Sequence, residues 1–200
     1  MQMNDNATQD SLRWKTLCSF FVGSVLSGLL FAWCVTRPTL QDYWFRNEEI
    51  WTFPTGRLWL LANGLFFLNL AGSTYVALFK KWVSFSPYRL IIGEMFFALL
   101  PVTIWLIEPL PALLQLFLLR VAQALVLSLM LLVITQKWYW GVAILMLLVS
   151  LATSVIAGVP YAFVKSISLE WFEVSKFFVN SLLLAVLFGC WLVKSTSHDY

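Results

Sequence analysis

Charged residues are scarce in this chain of 200 residues. They make up 12% of the sequence, whereas hydrophobic residues make up 60%. A soluble domain carries about a quarter of charged residues, so the composition excludes an ordinary soluble protein. Uncharged apolar runs of about 20 residues are long enough to cross the hydrocarbon core of a bilayer as helices. The sequence therefore predicts an all-α, polytopic transmembrane helical bundle whose main surroundings are lipid.

Histidine and cysteine, the usual catalytic and metal-binding residues, are nearly missing. The only histidine, His198, lies two residues from the end of the sequence, outside every apolar run. The three cysteines, Cys18, Cys34 and Cys190, are too far apart for a disulfide framework or a metal-ligand pair. No serine-hydrolase, zinc-protease or phosphate-loop motif occurs. We expect no catalytic residue, no metal and no cofactor, and hence no enzyme.

A strong excess of charge of one sign is also missing. The formal net charge is +3 and the basic residues are scattered along the chain. Nucleic-acid-binding proteins instead carry clustered basic patches, so we expect no direct nucleic-acid binding.

Long apolar runs are what the sequence does contain. Six spans are predicted at about 16–36, 57–80, 89–107, 110–135, 139–162 and 177–194. They form a single transmembrane domain, residues 16–194, between a disordered tail, 1–15, and a short C-terminal tail, 195–200. The segments 37–57 and 163–178 mix aromatic and charged residues and are predicted to be short and amphipathic, lying at the outer interface. Their aromatic residues are interpreted as a belt that sets the depth of the helices, or alternatively as a recognition surface.

The distribution of lysine and arginine predicts the orientation. With the N-terminus in the cytoplasm, seven basic residues fall inside and five outside. Loops rich in lysine and arginine stay on the cytoplasmic side of membranes. We therefore expect a multi-pass protein of the bacterial inner membrane with both termini in the cytoplasm.

Glu94 and Arg120 are ionisable residues inside predicted spans, where an unpaired charge costs at least a few kcal/mol. Glu94 lies fourteen residues before Glu108, and Arg120 lies eleven after Pro109. At 1.5 Å per residue they are about 21 and 17 Å from the turn that joins the two spans. The spacing predicts an ion pair between adjacent antiparallel helices, either as a structural lock or as part of a polar cavity.

Uncharged polar and small residues indicate how the helices meet. The predicted buried polar residues are Asn63, Asn69, Gln115 and Gln123. The predicted helix-packing residues of the first span are Gly23, Ser24, Ser27 and Gly28, and Ser150 begins a similar repeat in the fifth span. Small residues four apart allow close helix contact, within one chain or between chains, so a homo-oligomer is expected.

Two functions are compatible with these features. The first is a non-enzymatic inner-membrane subunit, an oligomeric scaffold or sensor that presents basic cytoplasmic edges to a cytosolic protein, as in a phage-defence type system. The second is a small-solute or ion transporter or channel component, such as a substrate-binding membrane subunit, indicated by Glu94, Arg120 and the buried amides. A stoichiometric cytosolic partner would favour the first function, and a bound solute or liposome flux the second.

Overall fold

The fold is a bundle of α-helices. The computed structural model describes residues 2–37, 56–100, 102, 112–137, 140–163 and 169–196. Within these ranges the helices are α1 (Gln2–Thr36), α2 (Gly56–Phe79), α3 (Pro87–Met95), α4 (Ala112–Thr135), α5 (Trp140–Phe163) and α6 (Leu169–Thr196), with a 3-10 turn, Phe96–Ala98, after α3. The same ranges contain no β-strand. The predicted all-α class is confirmed.

Among the described residues, four helices are long and apolar enough to cross a membrane. Their apolar stretches are Asp10–Thr36, Leu58–Phe79, Phe117–Thr135 and Trp171–Ser195, and Trp140–Ala152 is a shorter apolar stretch. Large apolar side chains such as Leu68 (69% exposed) and Leu148 (57% exposed) point away from the bundle. Such a surface needs an apolar solvent, as the hydrocarbon core of a bilayer provides.

The helices follow one another around a ring. Each helix packs on the next along the chain, and α6 closes the ring by packing on α1, while α4 and α2 also contact α6 across the interior. Phe20 and Phe31 of α1 meet Phe188 and Phe177 of α6, with ring centroids 5.9 and 4.4 Å apart. Since residue numbers rise along α1 as they fall along α6, these two helices are antiparallel.

Seven basic residues lie at one end of the bundle. The side chain of Trp82, in the turn between α2 and α3, lines a groove with Trp14 and Lys15 of α1. Lys137, in the turn between α4 and α5, donates a hydrogen bond to the carbonyl of Ser195, 3.3 Å away, at the end of α6. We call this end of the molecule the basic end; its basic residues are Arg13, Lys15, Lys80, Lys81, Arg89, Lys137 and Lys194.

The N-terminal segment departs from the sequence-based prediction. Residues 2–15, expected to be a disordered tail, form the first turns of α1. Glycine and proline are absent before Gly23, and the Arg13 guanidinium bonds the Asp10 carboxylate, 3.4 Å away and one helical turn earlier. Both features favour helix, so α1 continues beyond the predicted span.

Of the two predicted interfacial segments, the structure describes only part of the second beyond the single residue or two at their edges. Residues 38–55 and 164–168 lie outside the described chain. From Leu169 the second segment is the beginning of α6, so the last predicted span starts eight residues earlier than 177. An ion pair from Lys176 to Glu173, one turn apart, supports this helical start.

Candidate functional site

The most unusual side chain of the bundle is Arg120 on α4. It is only 7% exposed and lies eight residues after the start of α4, which is about 12 Å along the helix axis. Its Nη1 donates a hydrogen bond of 3.1 Å to Oε1 of Gln123, one turn further along α4. Its Nε is buried and has no hydrogen-bond partner in the described part of the chain.

Gln123 connects Arg120 to two other helices. Its Oε1 also accepts a hydrogen bond of 3.2 Å from Ser150 on α5, and its Nε2 donates one of 3.1 Å to Oδ1 of Asn63 on α2. Asn63 in turn donates to the carbonyl of Trp59 on its own helix, 2.8 Å away. One amide side chain therefore joins α2, α4 and α5 in the interior of the ring.

A fourth helix contributes charge. Glu173, near the start of α6, is 7% exposed, and its negative charge attracts the Arg120 guanidinium. Lys176 also binds Glu173 through an ion pair. We call Asn63, Arg120, Gln123, Ser150 and Glu173 the Arg120 network. Together with Lys176 it contains two basic residues and one acidic residue, a formal charge of 2 − 1 = +1.

The predicted ion pair between Glu94 and Arg120 is wrong. Both side chains are described, and neither a salt bridge nor a hydrogen bond joins them. A Cβ atom on Gly93 would lie 3.2 Å from Cγ of Met130. Since Met130 is ten residues after Arg120, Glu94 is about 15 Å along the axis of α4 from the backbone of Arg120.

The helix that carries Glu94 differs from the one that the predicted pair with Arg120 requires. The prediction assumed an unbroken α-helix from Glu94 to a turn at Glu108 and Pro109. In the structure α3 ends at Met95 and passes into a 3-10 turn, which rises about 2.0 Å per residue instead of 1.5 Å. The predicted turn at Glu108 and Pro109 itself lies outside the described residues.

The other predicted polar residues divide into two groups. Asn63 and Gln123 belong to the Arg120 network. Asn69 belongs to the contact between α1 and α2, where its Nδ2 donates to Oγ of Ser24, 2.9 Å away, and its Oδ1 accepts from Ser73, 3.0 Å away. The backbone of Gln115 lies in α4, but its side chain is outside the described part.

The small residues of α1 pack within the chain. Gly23 faces Asn69 and Ser73 of α2, and Gly28 faces the Phe178 ring of α6. Ser24 and Ser27 are buried beside them. The intramolecular alternative of the sequence analysis accounts for all four residues, which are thus occupied by contacts within one chain.

Sequence reasoning missed Glu173 and the polar role of Ser150. Glu173 lies in a segment that was assigned to the membrane interface, although its pairing with Lys176 at i and i+3 is a helical signal. Ser150 was predicted only as a packing residue. A serine hydroxyl in an apolar helix is expected to form a hydrogen bond within the bundle, but the sequence does not indicate which helix provides the partner.

The arrangement offers binding chemistry. The described residues contain no group of three or more histidine, cysteine, aspartate or glutamate side chains that could hold a metal ion. A guanidinium with an unused N–H, surrounded by amides and a hydroxyl, can bind an anionic group by charge-assisted hydrogen bonds.

No protein-family model, curated protein or solved structure matches the chain.

Proposed function

We propose that the protein is a non-enzymatic subunit of the bacterial inner membrane that acts as a sensor together with a cytosolic protein. In this proposal an anionic group binds at Arg120, and the change in the Arg120 network is relayed to the basic end. The observation that carries the proposal is a buried arginine with an unpartnered Nε at the meeting point of several helices.

The charge of the network supports binding of an anion. A positive charge inside a bilayer is costly and marks functional positions by default. Glu173 forms its ion pair with Lys176 and influences Arg120 only through its negative charge, so the guanidinium has no acidic ion-pair partner among the described residues. An incoming carboxylate or phosphate group would complete the hydrogen bonding of Nε and balance this charge.

The hydrogen bonds of the network support a relay of ligand binding from Arg120 to other helices. Gln123 Oε1 accepts from both Arg120 and Ser150, so a ligand that draws the guanidinium away changes the hydrogen bonding of α5 as well as α4. Networks with two alternative sets of hydrogen bonds can convert local binding into helix movement. Because α4 and α5 are joined by the turn that contains Lys137, such movement would reach the basic end.

The basic end supports the location of the partner. Basic loops stay in the cytoplasm, and this end also has both described ends of the chain, the start of α1 and the end of α6. A cytosolic protein with an acidic surface would find seven basic residues there. A homo-oligomer also remains proposed, although its contacts would involve surfaces other than the Gly23 and Gly28 sides of α1.

The test is copurification in neutral detergent with an affinity tag after Tyr200. We expect the unaltered protein to retain a cytosolic protein in a fixed ratio. Arg120→Met should change that ratio while the bundle stays folded, because methionine fills most of the volume of the side chain and Glu173 keeps Lys176 as its ion-pair partner. Ser128→Ala is the matched control, since Ser128 on the same helix bonds only the Ala124 carbonyl, 2.7 Å away.

The contradicting results are specific. If no cytosolic protein is retained, or if Arg120→Met retains it as the unaltered protein does, the sensor proposal fails. Native mass spectrometry of the same samples gives the oligomeric state, and a monomer removes the oligomer from the proposal.

The second candidate is a small-solute or ion transporter component, and the same unpartnered Nε favours it. The protein in liposomes would then conduct an anion, for which chloride and inorganic phosphate are the probes. Flux that is lost in Arg120→Met but kept in Ser128→Ala would assign transport to the network and displace the sensor.

A further inference from the structure

A groove opens at the basic end, between α1 and the turn that follows α2. Its volume is about 630 Å³, and its lining includes Trp14, Lys15, Cys18 and Val22 of α1 and Trp82 of the turn. The spacing of 15, 18 and 22 places these residues on one helix face. From Ser11 to Val22 the groove follows α1 for about 16 Å. It therefore lies along the first part of the apolar stretch that begins at Asp10.

The groove has a basic mouth and an apolar floor. Lys15 is part of its lining, and Lys80 and Lys81 are exposed immediately before Trp82. The one described acid on this part of α1, Asp10, is bonded to Arg13. Two tryptophans at such a position are typical of the membrane–water interface, where the ring is in contact with both lipid and water.

Lys81 occupies a backbone conformation that favours glycine. Its φ is +57°, and the bonds from Trp82 N to Ala77 O (2.8 Å) and from Lys81 N to Leu78 O (3.0 Å) close α2 as a Schellman motif. A lysine here costs stability that a glycine would not. Unfavourable backbone conformations of this kind cluster at functional sites. The motif also fixes the direction in which Trp82 meets α1.

We propose that this groove binds an anionic phospholipid of the surrounding leaflet. Its acyl chain lies along Cys18 and Val22 between Trp14 and Trp82, and its phosphate lies against Lys15 and Lys81. The position of the groove in the membrane favours a lipid rather than a protein as the bound molecule. Val22 is 53% exposed within the apolar stretch of α1, where hydrocarbon chains are the neighbours. Basic residues near an anionic leaflet attract its headgroups in the same way.

The test is native mass spectrometry of the whole protein in an uncharged detergent, with added phosphatidylglycerol or phosphatidylcholine of identical acyl chains. We expect the unaltered protein to retain phosphatidylglycerol in preference to phosphatidylcholine. Lys15→Gln and Lys81→Gly should each weaken that retention about five-fold, which corresponds to about 1 kcal/mol per basic residue. Lys81→Gly should also raise the melting temperature, so loss of lipid in this variant does not come from misfolding.

Two further variants make the test specific. Lys194→Gln removes a charge from the same end but from α6, where Lys194 lies 4.7 Å from the Trp191 ring, and it should retain the lipid fully. Lys15→Arg keeps the charge and should also retain it. Equal retention of both lipids, equal loss in Lys194→Gln, or a bound polypeptide that disappears in Lys15→Gln would each overturn the proposal.

Discussion

At the scale of single residues, the amide of Gln123 explains why the polar groups of three helices meet where they do. A membrane interior supplies no water, so each buried donor and acceptor needs a protein partner. Arg120 and Ser150 offer donors, and Asn63 offers an acceptor. A glutamine side chain is able to satisfy both kinds at once, because it has a carbonyl oxygen and an NH2 group.

The first prediction at this scale concerns the bond between Gln123 and Asn63. Asn63→Ala and Gln123→Ala should each lower the free energy of unfolding in detergent, and the double variant should lose less than the sum. We expect a coupling of about 0.6 kcal/mol, and at most about 1.7 kcal/mol, as for other hydrogen bonds between membrane helices. Thermal or denaturant unfolding of the four proteins measures it.

Two other pairs serve as controls for this coupling. Asn69 bonds Ser24 and Ser73 and shares no partner with Gln123, so their double variant should be additive to within about 0.5 kcal/mol. Glu94→Ala with Arg120→Ala should be additive for the same reason. A coupling above that limit between Glu94 and Arg120 would contradict the register of α3 against α4.

The sequence predicts which residues are buried better than it predicts their partners. Asn63, Gln123 and Arg120 stand out because polar groups in apolar runs are few. Their pairing depends on helix register, and the approach of Gly93 to Met130 places Glu94 about 15 Å along the helix axis from Arg120. The apolar run of 93–107 has no strong sequence signal for this register.

At the scale of helices, Gly23 decides how closely α1 approaches α2. A Cβ atom there would overlap the Asn69 side chain and lie 2.7 Å from Oγ of Ser73. The absence of a side chain at this position thus permits the hydrogen bonds from Asn69 to Ser24 and from Ser73 to the carbonyl of Ser19, 3.1 Å away. Small-residue patterns in the sequence predict such a contact but not whether the neighbour is α2 or another chain.

The element-scale prediction is that Gly23→Ala destabilises the protein by about 1–3 kcal/mol, because overpacking displaces polar partners of two helices. Gly72→Ala is the matched control. Gly72 is also inside a helix, but a Cβ atom there meets nothing within 4 Å, so alanine should be neutral or improve stability by up to about 1 kcal/mol. Melting temperatures in detergent compare the two, and an equal loss in both would contradict the packing of α1 on α2.

At the scale of the whole molecule, the order of the helices in the ring places both described chain ends at the end that carries the basic residues. Consecutive helices are neighbours, and α6 returns to α1 antiparallel to it. The start of α1 and the end of α6 therefore lie at the same end, which is also the basic end. Apolar runs were sufficient to predict the class of the fold, whereas the closed ring follows from contacts between residues far apart in sequence.

The last prediction is the orientation of this ring in the membrane. Because both described termini lie at the basic end, we expect an even number of crossings, and the positive-inside rule predicts that this end is in the cytoplasm. A reporter that is active only in the cytoplasm should work when fused after Tyr200, and one that is active only in the periplasm should work after Glu49. The pair is informative because inversion of the whole protein would exchange the two signals, whereas an odd number of crossings would put Tyr200 and the start of α1 on opposite sides.

Replacing Lys80 and Lys81 by glutamine should weaken the bias without changing the bundle, since both side chains are exposed. A periplasmic signal at Tyr200 in the unaltered protein would contradict the cytoplasmic position of the basic end, and with it the proposed cytosolic partner.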